Sequence, residues 1–281
     1  MTPTVRVIAV TYSPGELLDH LLDSLPDACS VPYEVVLADN GSTDGSPERA
    51  AQRDGVRLLR TGGNVGYGAA ANLGAADAQA PYLLICNPDL LLAPKCIDLL
   101  LDAADRHVLS GALGPMICEP DGRLYPSARA LPSLRTGIGH GVLASVWPGN
   151  PWSAAYRRDR EDIREREAGW LSGSCLLVRR SAFEDVGGFD PGYFMYFEDV
   201  DLCDRLAKHG WSCMWVPTAS VTHVGGTATG QQPLRMLKAH HDSAYRYLAS
   251  RYRPPVTWLA RAGLALRYRL MARGLPREVR Y

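Results

Sequence analysis

Two adjacent acids stand at the end of a run of aromatic residues in this sequence. Glu198 and Asp199 directly follow Tyr193–Phe197 (YFMYF). Aromatic rings suit the face of a sugar ring, and a carboxylate held beside them can act as a general base toward a hydroxyl group. Acids in a first helical turn can also simply complement the helix dipole. That alternative accounts for the acids, but less well for the aromatic wall next to them.

A carboxylate and a histidine form a second candidate set, for a metal ion. Asp89 follows Asn87 and Pro88 after an apolar run, and His223 lies in the segment VTHVGG. A divalent cation such as Mg²⁺ or Mn²⁺ is satisfied by one carboxylate, a second side chain and two phosphate oxygens of a ligand. A single histidine in a strand-like run is more often an ordinary core residue. Both interpretations of His223 stay open on these residues alone.

Two further segments predict contacts to a nucleotide. Asp39 opens the turn-forming run DNGSTD, where a carboxylate can accept hydrogen bonds from a ribose or a base. The run Asn64–Gly68 (NVGYG) opens an alanine-rich helix, whose N-terminus favours a phosphate. In the alternative interpretation, Asp39 or Ser42 caps the next helix. The glycine-rich turn, which lacks the Rossmann and Walker spacings, is then only a tight connection.

The elements that must position these residues follow from hydrophobic periodicity. Up to about residue 120 the sequence predicts a βαβαβαβ order, with each strand ending in polar residues. Ligands bind beyond the carboxyl ends of the strands in open α/β sheets, so Thr11, Asp39, Asn64 and Asp89 should share one pocket. The predicted strands are Val5–Thr11, Tyr33–Ala38, Val56–Arg60 and Tyr82–Cys86, and the predicted helices cover Gly15–Leu25, 46–53 and the residues after the turn at 62–68.

The pattern is irregular over residues 120–168, where the mixed-charge stretch 153–167 predicts a loop or lid. It returns with a predicted strand at Trp170–Val178 and a predicted helix at about 200–209. Two helices, at about 233–250 and 256–273, are predicted on either side of the break at Pro254 and Pro255.

The composition limits the class of protein. A chain of 281 residues with 46% hydrophobic residues predicts a soluble globular protein and excludes disorder and collagen-like repeats. No run reaches the roughly 18 apolar residues of a spanning helix, and no signal-peptide pattern is present, so a cytosolic location is expected. Seven scattered cysteines without a CxxC pair argue against a disulfide framework and a structural zinc site.

The net charge of zero hides an asymmetry. Residues 231–281 contain 11 Lys+Arg and 2 Asp+Glu, so the rest of the chain is negative. On an ideal helix Arg261, Arg269 and Arg273 share one side, and Val256, Leu259, Leu264, Leu266, Leu270 and Met271 lie mostly opposite. This predicts an interfacial helix on an anionic membrane surface. The alternative is a helical pair that packs on the catalytic body or on a second subunit, as a homodimer.

Taken in order and spacing, these segments resemble the inverting family 2 glycosyltransferases of the GT-A fold. The resemblance runs from Val5 to about Gly226, through AVTY, ADNGSTDGS, NVGYGAAAN, ICNPD, WLSGSCLLVRRSAFEDVGGFD, YFMYFEDVDLCDRL and THVGG. It is greatest to the bacterial rhamnosyltransferase branch, and above all to the actinobacterial enzymes that place L-rhamnose on a lipid-linked N-acetylglucosamine. Galactofuranosyltransferases and other UDP-sugar transferases of this fold are the near alternative.

The resemblance implies a role for each matching residue. Asp199 would be the general base, and Glu198 would help hold the acceptor sugar. Asp89 and His223 would bind the divalent cation, Mg²⁺ or Mn²⁺, with Asn87 in place of the first acid of the family's DxD element. The acceptor side would be formed by Trp170, Ser172, Gly173 and Tyr196. The nucleotide-sugar pocket, for dTDP-L-rhamnose, would be lined by Thr11, Tyr12, Asp39, Asn40, Asn64, Gly66, Tyr67, Gly68, Asn72 and Asn87.

The expected fold is therefore α/β: a mixed, mostly parallel sheet flanked by helices, with a Rossmann-like nucleotide-binding half and a C-terminal helical extension. The expected domains are a catalytic domain at 1–230, divided into a nucleotide-sugar half (1–120) and an acceptor half (121–230), and a basic extension at 231–281. The enzyme would be cytoplasmic and peripheral on the inner face of the membrane, with a lipid-linked sugar acceptor and no nucleic-acid partner. More distant alternatives are a sugar nucleotidyltransferase, whose glycine-rich basic loop is missing after Val10, and a non-catalytic sugar-binding module.

Overall fold

A mixed β-sheet with helices on both faces forms the centre of the protein. The computed structural model describes residues 2–132, 163–225 and 233–273. Residues 153–162 of the predicted lid and the last eight residues of the chain lie outside these ranges. The described strands are β1 (Val5–Thr11), β2 (Tyr33–Asp39), β3 (Val56–Arg60), β4 (Tyr82–Cys86), β5 (Leu90–Leu92), β6 (Ser110–Cys118), β7 (Leu124–Tyr125), β8 (Ala128–Arg129), β9 (Arg166–Ala168), β10 (Trp170–Leu171), β11 (Cys175–Arg179) and β12 (Ser212–His223).

The first four strands are parallel in the order β3-β2-β1-β4, and β6 and β12 form a second parallel pair. Strand β11 joins the two parts because it pairs antiparallel with both β4 and β6. Strands β5 and β9 are antiparallel to β12. Strands β1 and β4 are buried along their whole length, as expected of parallel strands covered on both faces. The predicted mixed α/β sheet is confirmed.

Helices cover the two faces of the sheet. On one face, α1 (Leu17–Ala28) and α4 (Cys96–Arg106) bury apolar residues at helical spacing. On the other face lie α3 (Tyr67–Ala75), α5 (Arg180–Asp185) and α6 (Glu198–Lys208), whose apolar residues form a second core cluster. The short helix α2 (Ser46–Ala50) follows β2. The carboxyl ends of the parallel strands β1 to β4 therefore all lie at the same edge of the sheet.

Several predicted bounds need correction. The strand predicted at Trp170–Val178 is two strands, because residues 172–174 turn between β10 and β11. Strands β5 and β6 and helix α4 fall where no element was predicted. Helix α1 begins and ends later than predicted, and α2 is three residues shorter. Helix α6 begins at Glu198 rather than at about 200, so both acids lie in its first turn.

Two helices follow the sheet, α7 (Pro233–Arg251) and α8 (Val256–Ala272), close to their predicted bounds. Helix α7 packs on the acceptor half: Tyr247 is fully buried beside Tyr193 and Val200. Arg246 forms an ion pair with Asp190 at 2.7 Å. Helix α8 packs on α7 through contacts such as the ring pair His241–Tyr268. Within the described ranges, none of the helices combines the length and apolarity required to cross a bilayer.

Candidate active site

Buried polar groups lie at the carboxyl ends of β1 and β2. Thr11 and Asp39 are paired in register, and the Thr11 hydroxyl donates to Asp39 Oδ1 at 2.9 Å. The backbone N–H of Ser42 donates to the same oxygen at 3.1 Å, and Arg60 lies 3.7 Å from Oδ2. The N-terminus of α2 is instead held by Asp44, which accepts a hydrogen bond from Ser46 N–H. Asp39 is thus fixed at the mouth of the sheet and does not cap the next helix.

The neighbouring glycine-rich turn is tied to the same mouth. The side chain of Asn40 donates to Gly66 O at 3.2 Å, and Asn64 Oδ1 accepts from Gly66 N–H at 3.2 Å. Gly66 has φ 93°, and a Cβ there would overlap the carbonyl oxygen of Phe194. The glycine is therefore required by the close approach of the acceptor half to the start of α3. Tyr12, half-buried, follows Thr11 at the end of β1.

Two other residues of the predicted nucleotide pocket contact the acceptor half instead. The amide of Asn72 donates to Phe189 O at 2.8 Å and accepts from Phe189 N–H at 2.9 Å. A Cβ on Gly68 would lie 2.8 Å from the Cβ of Phe189. Both residues hold α3 against residue 189. A direct nucleotide contact by either residue stays a prediction.

The structure brings Asp89 and His223 together from two paired strands. Asp89 precedes β5, His223 ends β12, and His223 Nε2 lies 3.1 Å from Asp89 Oδ1. Asn87 Nδ2 lies 3.3 Å from the same ring nitrogen. Asp89 Oδ1 is buried and has no hydrogen-bond donor when His223 Nε2 carries no proton, which is the case when that nitrogen accepts from Asn87. A buried carboxylate oxygen without a donor costs free energy, and a cation beside it would remove that cost.

The donor set therefore fits a divalent cation. A carboxylate oxygen and an imidazole nitrogen are two of the ligands that Mn²⁺ accepts, and oxygen atoms of a bound diphosphate would complete the shell. Among residues 2–132, 163–225 and 233–273, no cluster of three or more His, Cys, Asp or Glu side chains is suited to a metal ion. The geometry matches a cation held jointly by protein and ligand rather than by protein alone.

The acid pair lies at the start of α6, behind a strained turn. Tyr196 and Phe197 both have positive φ, 66° and 64°. Asp199 Oδ2 accepts from Gly173 N–H at 2.9 Å, and Oδ1 accepts from Val200 N–H at 2.8 Å. Glu198 Oε2 is buried and accepts no hydrogen bond. The two neighbours thus have opposite hydrogen-bonding environments.

These environments separate the two acids chemically. Desolvation, together with the charge of Asp199, raises the pKa of Glu198 to about 8. Desolvation also raises the pKa of Asp199, but the two backbone N–H donors and Arg129 oppose the rise. The undonated Oε2 thus favours the protonated form of Glu198, whereas the N–H donors on both oxygens favour the ionised form of Asp199. A carboxylate of this kind can accept a proton from a hydroxyl group.

Of the predicted acceptor residues, Gly173 contacts Asp199 directly, and Trp170 packs against the cluster that contains Val200. Trp170 is half-buried, with the guanidinium of Arg129 5.5 Å from its ring centre. The Ser172 hydroxyl donates to Ser174 Oγ at 3.2 Å. Gly173 binds Asp199 through its backbone, as described above. The Tyr196 ring packs edge-on against His240 of α7, at 5.4 Å between ring centres.

Sequence reasoning missed Arg129 and His240 as neighbours of the site. Arg129 lies in the irregular region after residue 120, and His240 lies in the basic extension, so neither belongs to a motif. The metal pair and the acid pair are connected through the turn between β10 and β11: Asn87 N–H donates to Ser174 O at 2.9 Å. Candidate nucleotide, cation and acceptor residues consequently occupy one edge of the sheet.

A mixed sheet with polar residues at the carboxyl ends of its parallel strands, a carboxylate–histidine pair and an adjacent acid pair is the arrangement expected of a glycosyltransferase of the GT-A type. The chain matches the family model Glycosyl transferase family 2 over residues 6–187, and a second model, Glycosyl transferase family group 2, over residues 159–274. It belongs to glycosyl transferase family 2, which confirms the resemblance predicted from the motifs.

Individual relatives and structures agree with this assignment. The N-acetylglucosaminyl-diphospho-decaprenol L-rhamnosyltransferase of Mycobacterium tuberculosis is 53% identical over 296 residues, which cover 100% of this chain and 96% of that protein. Rhamnosyltransferase WbbL of Escherichia coli is 26% identical, covering 87% of this chain and 92% of its own. The structure of mannosyltransferase PcManGT from Pyrobaculum calidifontis, in complex with GDP-Man and Mn²⁺, shares the fold with a TM-score of 0.58 and 17% identity, covering 99% of this chain and 77% of that one.

Proposed function

We propose that this glycosyltransferase moves L-rhamnose from dTDP-L-rhamnose to a polyprenyl-diphosphate-linked N-acetylglucosamine, with inversion at the anomeric carbon. The substrate assignment is supported by the 53% identity to the mycobacterial rhamnosyltransferase along the whole chain. The observation that carries the reaction type is the position of Asp199, a half-buried carboxylate oriented by two backbone N–H groups directly after the aromatic run 193–197. Such a group is suited to act as a general base.

The reaction then follows from the residues of the site. Asp199 accepts the proton of the acceptor hydroxyl as its oxygen attacks the anomeric carbon of the donor. The bond to the diphosphate breaks on the opposite face, so the configuration inverts and no covalent enzyme intermediate forms. Glu198, protonated near neutral pH, donates a hydrogen bond to the acceptor sugar. The wall formed by Trp170 and Tyr196 orients the acceptor ring.

The donor is held by the opposite side of the mouth. Thr11, Asp39 and Asn40 would line the nucleoside, and the turn at Gly66 would lie along the diphosphate. Asp89 and His223 would hold Mg²⁺ or Mn²⁺, since the unsatisfied Asp89 oxygen fits a cation. When bound, the cation neutralises the charge that develops on the leaving diphosphate.

We also propose that α8 holds the enzyme on the anionic inner face of the cell membrane, where a lipid-linked acceptor would lie. Leu259, Leu266 and Leu270 are largely exposed on α8, on the side turned away from α7. At 100° per residue, Arg267, Arg269 and Arg273 flank this apolar line, so the prediction that Arg269 and Arg273 lie opposite these leucines is wrong. Helix α8 contains no acidic residue. An amphipathic helix of this composition is typical of interfacial binding.

The reaction is tested by Asp199→Asn, which keeps the shape of the side chain but removes the base. We expect transfer from dTDP-L-rhamnose to a short-chain polyprenyl-diphosphate N-acetylglucosamine to fall by a factor on the order of 10² or more. Thermal stabilisation by dTDP with Mn²⁺ should persist in the variant and should disappear with EDTA. Full transfer activity in Asp199→Asn would overturn the proposed mechanism.

The same melting experiment separates the donors. A larger shift with dTDP than with UDP supports rhamnosyl transfer. A preference for UDP would assign the enzyme to galactofuranosyl or another UDP-sugar transfer instead.

A further inference from the structure

Tyr67 joins the donor half of the site to the acceptor half. It is the first residue of α3, it is buried, and its ring packs edge-on against Phe189 at 6.3 Å. Its backbone N–H donates to Phe194 O at 3.0 Å. Its hydroxyl donates to Gly173 O at 2.7 Å. Burial raises the pKa of the Tyr67 hydroxyl well above its usual value, so the group remains a donor over the whole working pH range.

The partner of this hydroxyl is the residue that orients the base. Gly173 accepts from Tyr67 through its carbonyl oxygen, and its N–H donates to Asp199 Oδ2 at 2.9 Å. The contact with Asp199 is close, because a Cβ on Gly173 would lie 3.2 Å from the Asp199 Cβ. Gly173 is the middle residue of a three-residue turn between two strands, so its position depends on these few bonds.

A buried tyrosine hydroxyl needs a partner in any core, and that requirement alone would explain a hydrogen bond. It does not explain why the partner is Gly173, whose N–H holds the candidate base from outside helix α6. The hydroxyl donates its hydrogen bond to Gly173 and so does not donate to a nucleotide. The geometry therefore indicates a role in the acceptor half for a residue whose motif belongs to the donor half.

We propose that Tyr67 is a positioning residue for Asp199: its hydroxyl fixes Gly173, and Gly173 N–H fixes the carboxylate that accepts the acceptor proton. The inference rests on the proposed role of Asp199 as the base. Without the hydroxyl, the Gly173 turn is less constrained and its N–H stabilises the ionised carboxylate less well. The pKa of Asp199 then rises, since that N–H normally lowers it.

The direction of the pH effect follows from the groups around Asp199. Glu198 lies beside it, Cys203 lies on the same helix, and Arg129 and Tyr67 face it from β8 and α3. Of these, Arg129 favours the ionised form, and Tyr67 acts through Gly173. A base works only when it is ionised, so a higher pKa moves the acidic limb of the pH–rate profile to higher pH.

The test is Tyr67→Phe, which keeps the ring and removes only the hydroxyl. We expect kcat to fall about tenfold and KM for dTDP-L-rhamnose to stay within about twofold, because the change affects the chemical step rather than donor binding. The acidic limb of kcat/KM should move up by roughly half a pH unit or more.

The matched control is Tyr82→Phe. Tyr82 is an equally buried tyrosine whose hydroxyl accepts a hydrogen bond from Arg179 at the start of β4, the opposite end of the sheet. Its variant should lose stability without a shift of the acidic limb. If Tyr67→Phe has the same kcat and pH profile as Tyr82→Phe, Tyr67 is only a core residue and the proposal is wrong.

A second variant keeps the test decisive if Tyr67→Phe folds poorly. Gly173→Ala leaves Tyr67 intact but adds the Cβ that meets Asp199, and it should shift the acidic limb in the same direction. An unshifted limb in Gly173→Ala would also contradict the proposal. Failure of the underlying function has a different signature, namely an active Asp199→Asn enzyme.

Discussion

The two adjacent carboxylates of the candidate site differ in their hydrogen bonds. Glu198 and Asp199 are both desolvated, yet only Asp199 receives backbone N–H donors on both oxygens. A desolvated carboxylate with an undonated oxygen favours the neutral acid, and backbone donors on both oxygens shift the balance toward the ionised form. In the proposed reaction the pair would separate into a hydrogen-bond donor and a proton acceptor. The same division would give the pH–rate profile two limbs, with Asp199 on the acidic side and Glu198 on the alkaline side.

Glu198→Gln tests the alkaline limb. With a pKa of about 8, Glu198 is neutral below that pH and becomes charged above it. Glutamine imitates the neutral form at every pH. We expect the variant to keep activity within about tenfold of the native enzyme at pH 7 and to lose the fall in activity above pH 8. Initial rates of transfer between pH 6 and 10 give the profile.

The ionisation of Glu198 should lower the folding stability of the protein at alkaline pH, as it lowers the activity. Because the folded pKa is raised above the unfolded value, the folded state loses stability as the pH rises through about 8. Glu198→Gln should melt at a higher temperature than the native protein at pH 9 and show little difference at pH 5. As the activity control, Glu198→Ala removes the hydrogen-bonding group and should be impaired at all pH values. An alkaline limb that survives in Glu198→Gln would exclude Glu198 as its cause.

The motifs allowed several site residues to be placed together from the sequence. Thr11, Asp39 and Asp89 follow strands whose carboxyl ends must meet, so their shared edge was predictable. The partners of Asn72 and Tyr67 were not, because they lie 117 and 106 residues away in the chain. The family resemblance assigned both residues to the nucleotide pocket, whereas their side chains bond to the acceptor half. Only the packing of α3 on that half reveals these contacts.

At the scale of elements, the start of α3 is the junction of the two halves. Gly66 has φ 93° and ψ 166°, a conformation that essentially only glycine adopts. The carbonyl of Phe194 occupies the space where its Cβ would lie. Position 66 therefore requires glycine for two reasons: the backbone conformation, and the lack of space for a Cβ beside Phe194. The connection from β3 to α3 depends on both.

Gly66→Ala separates these two requirements when it is compared with Gly62→Ala. Gly62 also has positive φ, 84°, but no heavy atom lies within 4 Å of a Cβ built there. We expect Gly62→Ala to lower the free energy of unfolding by about 1–2 kcal/mol through backbone strain alone. Gly66→Ala should lower it by roughly 1–3 kcal/mol more and should also reduce transfer, since Phe194 must move.

Urea unfolding and transfer rates measure both effects. If both variants lose the same free energy of unfolding and the same activity, the close contact with Phe194 adds nothing to the need for glycine at position 66.

The strands and helices were predictable from the sequence where one uninterrupted hydrophobic pattern covers the whole element. Strands β1, β3 and β4 match their predicted bounds because each is a short apolar run with polar residues after it. The predicted strand over 170–178 failed for the opposite reason. Apolar residues stand on both sides of Ser172–Ser174, so the pattern indicates one continuous strand. Only the approach of Gly173 to Asp199 reveals the turn between the two strands. Strand β5 has three residues and is held by its pairing with β12, which no local pattern indicates.

At the scale of the whole molecule, the basic C-terminal helices play two different parts. Helix α7 is packed on the acceptor half: Ser243 donates to Met195 O at 2.9 Å, and His240 contacts both Tyr196 and Phe197. The strained residues before the acid pair thus rest on α7. Helix α8 packs on α7 through Tyr268, whose ring meets that of His241, and leaves the side that carries Leu259, Leu266 and Leu270 exposed. A surface bound by α8 would consequently lie next to the helix that supports the acceptor wall.

The exposed side of α8 has the composition of a membrane-binding face. Leu259, Leu266 and Leu270 are 73%, 59% and 57% exposed. At about 100° per residue they lie within about 40° of one another around the helix axis. Each of the flanking arginines contributes about 1 kcal/mol near an anionic lipid surface. Apolar insertion and charge attraction therefore favour the same orientation, with α8 lying flat on the membrane.

Replacing these three leucines with serine should abolish membrane binding without unfolding the enzyme, since none of them lies in the core. In flotation with anionic phospholipid vesicles at low salt, we expect the native protein to bind, and high salt or neutral vesicles to weaken binding because the arginine contribution is screened. The matched control is Val108→Ser with Leu109→Ser, two residues that are each 67% exposed before β6 and far from α8 in the chain. That variant should float like the native protein.

A second copy of the chain is the competing partner for this face, and light scattering distinguishes it from a membrane. A native dimer that becomes monomeric in the triple variant, together with no flotation of the native protein, would assign the face to self-association. If the membrane proposal is correct, the triple variant should retain its activity on a soluble short-chain acceptor and lose activity only on acceptor embedded in vesicles. That difference follows because α8 would act on where the enzyme meets its acceptor and not on the chemistry at Asp199.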